Sequence, residues 1–324
     1  MTKAIRIHET GGPEVLTWQD IQLGDPKSGQ VRLKHTAIGL NFIDCYHRSG
    51  LYPVELPLTL GSEAAGIIEA IGPDVSGLKI GQRVAYAGGQ TGSYCEARNI
   101  NANVLIPLPE NIKDQDAAAM MLKGMTAHML MFKCYKVKKG DTILVHAAAG
   151  GVGSIMCQWA NTIGATVIGT VGSDQKAEKA NKNGCHYPIN YSKDDFSKRV
   201  SEITNGVGVP VVYESIGKTT YEKSMDCLSN FGILVNYGNA SGPIPAIEPL
   251  ELMRRGSLAL SRPTLFNYTS NPKDRQNAAR ALFKVVASGK VNIEIGQTYS
   301  LSETRAAHVA LESRQTTGST VLIP

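Results

Sequence analysis

Thr142–Gly153 reads TILVHAAAGGVG, and its interpretation decides the fold. Thr142, Ile143, Leu144 and Val145 form a short run of apolar and β-branched residues, the pattern of a fully buried strand. Small residues follow at once, from Ala147 to Gly151. Val152, Ile155, Met156, Trp159 and Ile163 then recur at helical spacing until Gly164 ends the helix. Strand, glycine turn and helix form the context in which a glycine pattern points to a dinucleotide. Gly150 and Gly151 let the backbone approach a pyrophosphate, Gly153 lets helix pack closely on strand, and free N–H groups at the helix start, at Val152 and its neighbours, favour an anion. Counted from Ala147 the spacing is A-x-x-G-x-x-G instead of G-x-G-x-x-G. The alternative is a tight buried turn with no ligand.

A chain of 324 residues suits two domains. Its 42% hydrophobic and 19% charged residues are ordinary for a globular protein. A net charge of +5 fits an anionic cofactor without demanding nucleic acid. The densest basic run, Lys133, Lys136, Lys138 and Lys139, reads as a solvated approach to the strand at Thr142. MTKAIRIH lacks the apolar core of a signal peptide, and no apolar stretch is long enough to span a bilayer. The cysteines at 45, 95, 134, 157, 185 and 227 form no C-x-x-C, so buried thiols are expected over a disulfide framework. A cytoplasmic location follows as the expectation.

Outward from the glycine turn the rhythm differs on the two sides. Residues 1–123 are strand-rich: Ala4–His8, Val15–Ile21 and Val31–Ile38, a short turn or helix at Asn41–Tyr46, then glycine-punctuated segments that suggest a small barrel-like fold. Residues 124–262 alternate strand with helix. Strands are expected at Ala165–Val171, Tyr187–Tyr191, Val209–Glu214, Ile233–Tyr237 and Ser257–Ser261. Helices are expected at Asp174–Asn183, around Phe196, Val200 and Ile203, and around Tyr221, Met225 and Leu228. With Thr142–Val145 this makes an α/β domain built on a doubly wound parallel six-stranded sheet. Residues 263–324 add helices at Ala278–Ser288 and Glu303–Ser313 and strands at Glu294–Ser300 and Ser319–Ile323, and are expected to complete the first domain.

The choice of dinucleotide turns on the end of the second strand. NAD-specific folds place an acid there, about twenty residues past the glycines, on the ribose 2′-hydroxyl. Here that place holds Gly172 and Ser173, with Lys176 one helical turn on and Tyr191 ending the third strand beside it. A hydroxyl and an ammonium suit a 2′-phosphate, so NADPH is the expected cofactor. Asp174 reads as helix-start charge, and Ser173 can also cap the helix.

Several ordered matches carry a family resemblance: Gly39-Leu40-Asn41-Phe42-Ile43-Asp44, Gly61-Ser62-Glu63-Ala64-Ala65-Gly66, the glycine turn, Tyr237-Gly238-Asn239 and Ser261-Arg262-Pro263. Over nearly its whole length the chain resembles the medium-chain dehydrogenase/reductase superfamily, and within it the quinone oxidoreductase branch that includes zeta-crystallin. The resemblance implies a GroES-like β-rich catalytic domain, a Rossmann domain, a cleft between them and commonly a homodimer. Gly232–Tyr237 and Ser257–Leu265 are candidate edge strands for that dimer. It also implies that Asn41 lies by the nicotinamide ribose, that Tyr46 and Tyr52 line the substrate mouth, and that Thr126 lies where an inter-domain helix approaches the cofactor. Ser215, Tyr237, Gly238, Asn239 and Arg262 then belong to the cofactor-binding strand ends, and Arg314 reaches back from the last helix. Either tyrosine is placed to hydrogen-bond an acceptor oxygen or supply a proton; the alternative is loop packing with wet hydroxyls.

Zinc-dependent members of the superfamily carry Cys and His where this chain has Asn41 and Ser62, and the cysteines of their structural zinc lobe are absent. Amide and hydroxyl are poor Zn²⁺ ligands, and Cys45 with His47 does not make a closed site, so no metal is expected. Alcohol oxidation is then disfavoured, because nothing would hold the developing alkoxide. Quinones and conjugated enones carry their own electron sink and need only a positioned NADPH. The leading expectation is zinc-independent NADPH:quinone oxidoreductase activity, with enone reduction second. A third, NADPH-binding structural or RNA-binding role is opposed by the mild basicity and lack of an aromatic–basic patch. Gly217-Lys218-Thr219 is not a phosphate-binding loop, since Val212 stands where its first glycine would fall.

Overall fold

A computed structural model describes residues 1–324. The chain divides into two compact units: Met1–Met125 with Ser270–Phe283 and Ile293–Pro324, and Thr126–Thr269 with Lys284–Asn292. Two of the divisions fall inside helices: Asp114–Met129, which the sequence reading did not delimit, and Pro272–Ala287, which begins six residues before the helix expected at Ala278–Ser288.

The first unit carries strands β1 (Thr2–Ile7), β2 (Thr17–Ile21), β3 (Gln30–Leu40), β4 (Leu58–Thr59), β5 (Glu63–Ile71), β6 (Arg83–Ala87), β7 (Ala97–Asn101) and β8 (Ile106–Pro107), with helix α1 (Phe42–Ser49). Helix α2 is Asp114–Met129, and a π-helical turn, Leu130–Cys134, follows it. The second unit runs β9 (Thr142–Val145), α3 (Gly151–Ile163), β10 (Thr166–Val171), α4 (Asp174–Lys182), β11 (Tyr187–Asn190), α5 (Phe196–Ile203), β12 (Val209–Glu214), α6 (Tyr221–Asp226), β13 (Leu228–Asn236), α7 (Pro249–Arg254), β14 (Ala259–Ser261) and α8 (Leu265–Tyr268). Then come α9 (Pro272–Ala287), β15 (Ile295–Ser300), α10 (Thr304–Glu312) and β16 (Ser319–Ile323).

In the first unit a seven-stranded sheet, ordered β15-β16-β3-β5-β6-β8 with β7 also paired to β3, accompanies a three-stranded sheet, β2-β1-β4. The C-terminal strand β16 runs antiparallel to β3, with Val321 opposite Gly39. Ile5, Ile7, Leu33, Ile38, Leu60, Tyr86 and Leu322 are among the side chains of its core. Burial of each apolar chain contributes roughly 1.5–3 kcal/mol.

The second unit holds a six-stranded parallel sheet ordered β11-β10-β9-β12-β13-β14. Ile143, Leu144 and Val145 are wholly buried, as a parallel strand covered by helices on both faces requires. The chain order reverses at β9, so the carboxyl ends of β9, β10 and β12 meet at a switch point, where such sheets bind ligands.

Two details of the parallel sheet and its helices differ from the sequence reading. Leu228 begins β13 and does not extend the α6 helix, because Cys227 caps α6 and the strand is longer than its apolar half, Ile233–Tyr237, suggests. That strand is also interior, between β12 and β14; of the two proposed edge segments only β14 lies at a sheet edge. The apolar run Gly232–Tyr237 is explained by burial beneath helices.

Candidate active site

In the first unit a buried carboxylate organises the end of β3. Glu63 is fully buried at the start of β5. Its Oε1 accepts from the Asn41 amide at 2.8 Å and from Lys123 Nζ at 2.8 Å, and its Oε2 accepts from the Leu122 N–H at 2.6 Å. The chains pass so closely here that a Cβ on Gly39 would stand 2.2 Å from both the Ala118 carbonyl and Glu63. Asn41 starts α1, and its N–H donates to Asp44 Oδ2 at 2.9 Å.

Asp44 also accepts from Ser62 Oγ (2.8 Å) and Tyr94 Oη (2.9 Å). Tyr94 Oη lies 3.2 Å from His308 Nε2, and Arg48 Nη1 lies 2.8 Å from His308 Nδ1. A guanidinium only donates, so His308 Nδ1 accepts, its Nε2–H faces Tyr94, and the phenol proton points to Asp44. Burial, then Arg48, lowers the His308 pKa to about 3, which keeps the ring neutral. Burial raises Asp44 to about 6 against the pull of its three hydrogen bonds, and neighbouring Glu63 adds to the rise.

These residues do not fit a zinc ion. Ser62 and Asn41 spend their polar atoms on Asp44 and Glu63, and an ammonium sits on the carboxylate. No group of three or more His, Cys, Asp or Glu side chains is placed to hold a metal. Cys45 is a buried thiol beside His308, pushed up in pKa chiefly by desolvation.

Tyr46 on α1 and Tyr52 just past it stand edge to face at 5.2 Å between ring centres, both half-buried. Phe42 and His47 flank them, and His47 Nδ1 is buried without a partner. Arg314 lies beyond α10 rather than within it, exposed and with φ of 59°.

In the second unit the glycine turn has the expected form. Gly150 precedes the first residue of α3, Gly151, with Val152 next, and Ser154 N–H is the first to bond back, to Gly150 O at 2.8 Å. The earlier N–H groups of the helix therefore lack intrahelical acceptors. A Cβ on Gly153 would stand 2.3 Å from the Ala147 carbonyl. Ala147 itself takes φ of 51°, a conformation natural to the glycine that the motif usually has in this turn.

At the end of β10, Ser173 Oγ accepts from Lys176 N–H at 3.3 Å. The cap uses the oxygen as acceptor and leaves the hydroxyl hydrogen for a second partner. Tyr191 Oη stands 2.8 Å from where a Cβ on Gly172 would lie, so Gly172, Ser173, Lys176 and Tyr191 are gathered in one place.

Ser215, Tyr237, Gly238, Asn239 and Arg262 gather at the ends of β12, β13 and β14. A Cβ on Gly238 would stand 2.6 Å from Ser215 O. Asn239, oriented to donate to Gly238 O, accepts from Arg262 Nη2 at 3.2 Å. Ser215 Oγ and Asn236 Oδ1 are buried without a partner in the protein, which polar atoms tolerate where a ligand completes them. Thr126 lies on α2, half-buried.

A buried network shapes this end of the sheet. Glu214 Oε1 accepts from the Ile216 and Gly217 N–H groups at 2.6 and 3.1 Å, and Oε2 from Thr220 and Ser224 hydroxyls at 2.9 and 2.7 Å. His146 bridges Thr170 and Ser224, each at 2.8 Å. Desolvation raises the Glu214 pKa, but His146 and the hydrogen bonds outweigh it and hold it low. Burial lowers the His146 pKa against the opposing pull of Glu214, and the ring bridges Thr170 and Ser224 by hydrogen bonds.

Helix-start N–H groups of α3 without intrahelical acceptors, the Ser173 hydroxyl beside Gly172 and Tyr191, and uncompleted buried polar atoms at Ser215 and Asn236 fit a dinucleotide phosphate cofactor. Sequence reading missed Lys123, Tyr94, Arg48, His308 and the His146–Glu214 network. The available signal was the single lysine inside the apolar run AAAMMLKGMTAHML.

A GroES-like β-rich unit joined to a doubly wound sheet with this turn defines a medium-chain dehydrogenase/reductase. Family comparison agrees: residues 27–110 match the alcohol dehydrogenase GroES-like domain, and residues 151–284 match the zinc-binding dehydrogenase domain. Over its full length the chain is 47% identical to a quinone oxidoreductase of Pseudomonas aeruginosa, all of which it covers. It is 46% identical to a 2-haloacrylate reductase of a Burkholderia species, covering 99% of that protein. Its fold superposes on the Escherichia coli quinone oxidoreductase complexed with NADPH with a TM-score of 0.98, at 44% identity, over 99% of this chain and all of that one. The chain belongs to the quinone oxidoreductase family of this superfamily.

Proposed function

We propose that the protein is a zinc-independent NADPH:quinone oxidoreductase. The overall reaction is quinone + NADPH + H⁺ → quinol + NADP⁺. The observation that carries the reading is the turn at the end of β10, where Ser173, capped by the Lys176 backbone N–H, and Tyr191 stand beside Gly172 at the strand end where an NAD-specific fold carries an acid. The cofactor supplies a hydride when bound. The residues of the chain do the rest. N–H groups at Gly151 and Val152 hold the pyrophosphate, and Ser173, Lys176 and Tyr191 hold the 2′-phosphate. Ser215, Tyr237, Gly238, Asn239 and Arg262 hold the nicotinamide half, with Thr126 and Arg314 contributing to the cofactor site.

On the substrate side Asn41, fixed by Glu63 and Asp44, presents a rigid edge. Tyr46 and Tyr52 exclude water and donate to the acceptor oxygen as it gains charge, so catalysis rests on proximity and preorganised donors. Reduction of a conjugated carbon–carbon double bond uses the same groups. The similarity to a 2-haloacrylate reductase favours it as the second reading.

The further proposals are a cytoplasmic homodimer without nucleic-acid partners, consistent with six free cysteines and no helix able to cross a membrane. Light scattering giving a monomer mass would remove the dimer. An NADPH-consumption screen over quinones and enones, with product identification, tests the activity. NADPH is expected to bind at least about tenfold more tightly than NADH, since charge-assisted hydrogen bonds contribute roughly 1.5–3 kcal/mol each. Equal affinities, or activity lost to a chelator and restored by zinc, would reject the reading.

A further inference from the structure

The 2′-phosphate position contains a carboxylate. Asp174 follows Ser173 directly and opens α4 two residues before Lys176. A free acid here repels a phosphate and favours an unphosphorylated ribose, in conflict with the hydroxyl of Ser173 before it and the basic Lys176 after it.

The loop after β11 resolves that conflict. Asn190, buried at the end of β11, donates its amide N–H to Asp174 Oδ1 at 2.8 Å and accepts the Ser192 N–H at its own oxygen, 3.1 Å away. Lys193 Nζ pairs with Asp174 Oδ2. Both carboxylate oxygens are thus engaged on the β11 side. Ser192 Oγ donates to Gly172 O at 3.1 Å, and Tyr191 N–H donates to Val171 O at 3.1 Å. Four consecutive residues, Asn190 to Lys193, therefore clasp the turn Val171–Asp174. Lys193, with Asn190, also holds the Asp174 carboxyl below its usual range.

We propose that Lys193 and Asn190 are specificity-determining positioning residues that hold and neutralise Asp174, so that the turn accepts a 2′-phosphate despite carrying an acid. Lys176 and Ser173 attract the phosphate directly, whereas Lys193 acts through Asp174. The inference rests on the NADPH reading above. Both partners of the pair are largely exposed, so the effect is screened by salt and moderate in size.

The test is calorimetric titration of the intact chain with adenosine 2′,5′-bisphosphate and with 5′-AMP, which differ only in the 2′-phosphate. Lys193→Gln is expected to weaken the bisphosphate about three- to tenfold at low salt, with 5′-AMP unchanged and the loss shrinking as salt rises. Adding Asp174→Asn to Lys193→Gln is expected to restore the parent affinity. Equal weakening of both ligands, unchanged discrimination, or no restoration in the double variant overturns the inference. The last outcome would mean that Lys193 touches the phosphate itself. A parent chain that binds the two ligands equally overturns the NADPH reading together with it, whereas a discriminating parent matched by a discriminating Lys193→Gln overturns the inference alone.

Discussion

Replacing Lys123 with methionine tests whether the Glu63 carboxylate is the anchor of the first unit. Methionine keeps the length and apolar stem of lysine but removes the ammonium 2.8 Å from Glu63 Oε1. Glu63 is fully buried, and the Lys123 side chain is 8% exposed, so water cannot take over the lost partner. The Asn41 amide and Leu122 N–H remain, yet neither carries charge. Leaving one member of a buried pair uncompensated costs about 3–5 kcal/mol. The stranded carboxyl then has a pKa raised in the folded state. Its penalty is absent at low pH, where it is protonated in both states, and appears as pH rises through the raised folded value. Lys123→Met should therefore be close to the parent in stability near pH 4 and much weaker near pH 8. Glu63→Gln/Lys123→Met should recover most of the difference at pH 8. The assay is urea unfolding at both pH values, where the deficit should appear as a midpoint shift of about 1 M or more. A loss equal at the two pH values, or no recovery in the double variant, would show that Lys123 serves packing and not charge, and the reasoning would fail.

Gly153→Ala places a methyl 2.3 Å from the Ala147 carbonyl. Overpacking of this kind costs about 1–3 kcal/mol, and because it pushes on the turn itself, NADPH affinity should fall with the thermal midpoint; an unchanged dissociation constant would separate turn from ligand. Asp44, raised to about 6 by burial, favours the folded state more when protonated, so its contribution is full below about pH 4 and is lost as pH rises through 6. Asp44→Asn should lack that component, roughly 2 kcal/mol between pH 4.5 and 7, in urea midpoints measured at those two values; a slope equal to the parent's would contradict the assignment.

What the sequence disclosed depended on range. The glycine turn, the strand–helix alternation and the cap at Ser173 are local patterns, and β12 and β16 fall where their apolar runs place them. Helix α2 escaped because it is apolar on every side: Ala117–Leu122 are buried without interruption, so no polar face supplied a period. Lys123 escaped with it, since its partner is 60 residues away. Arg48 and His308 are 260 residues apart, and only the antiparallel pairing of β16 with β3 brings the chain end back to the first unit's sheet. Asp174 was visible as a charge, but its neutralisation depends on a loop that folds back across the strand after it.

Both units solve one problem in the same way. A turn that must hold fixed polar groups at a strand end is tied to a buried carboxylate on a neighbouring element or on the strand itself. Glu63 ties Asn41 and the Leu122–Lys123 step of α2 in the first unit. Glu214 ties the Ser215–Gly217 turn through two backbone N–H groups in the second. Their compensation differs: Glu63 has a directly bonded ammonium, whereas the groups bonded to Glu214 are hydroxyls and backbone dipoles. Removing a neutral donor from Glu214 should cost less than removing Lys123 from Glu63, because an ionic partner offsets more of the desolvation of a buried carboxylate than a dipole does. Ser215, whose hydroxyl is buried without a partner, directly follows Glu214 in the turn that Glu214 ties, so one donor stays available, and a turn held this rigidly loses little conformational freedom when a ligand arrives to complete it.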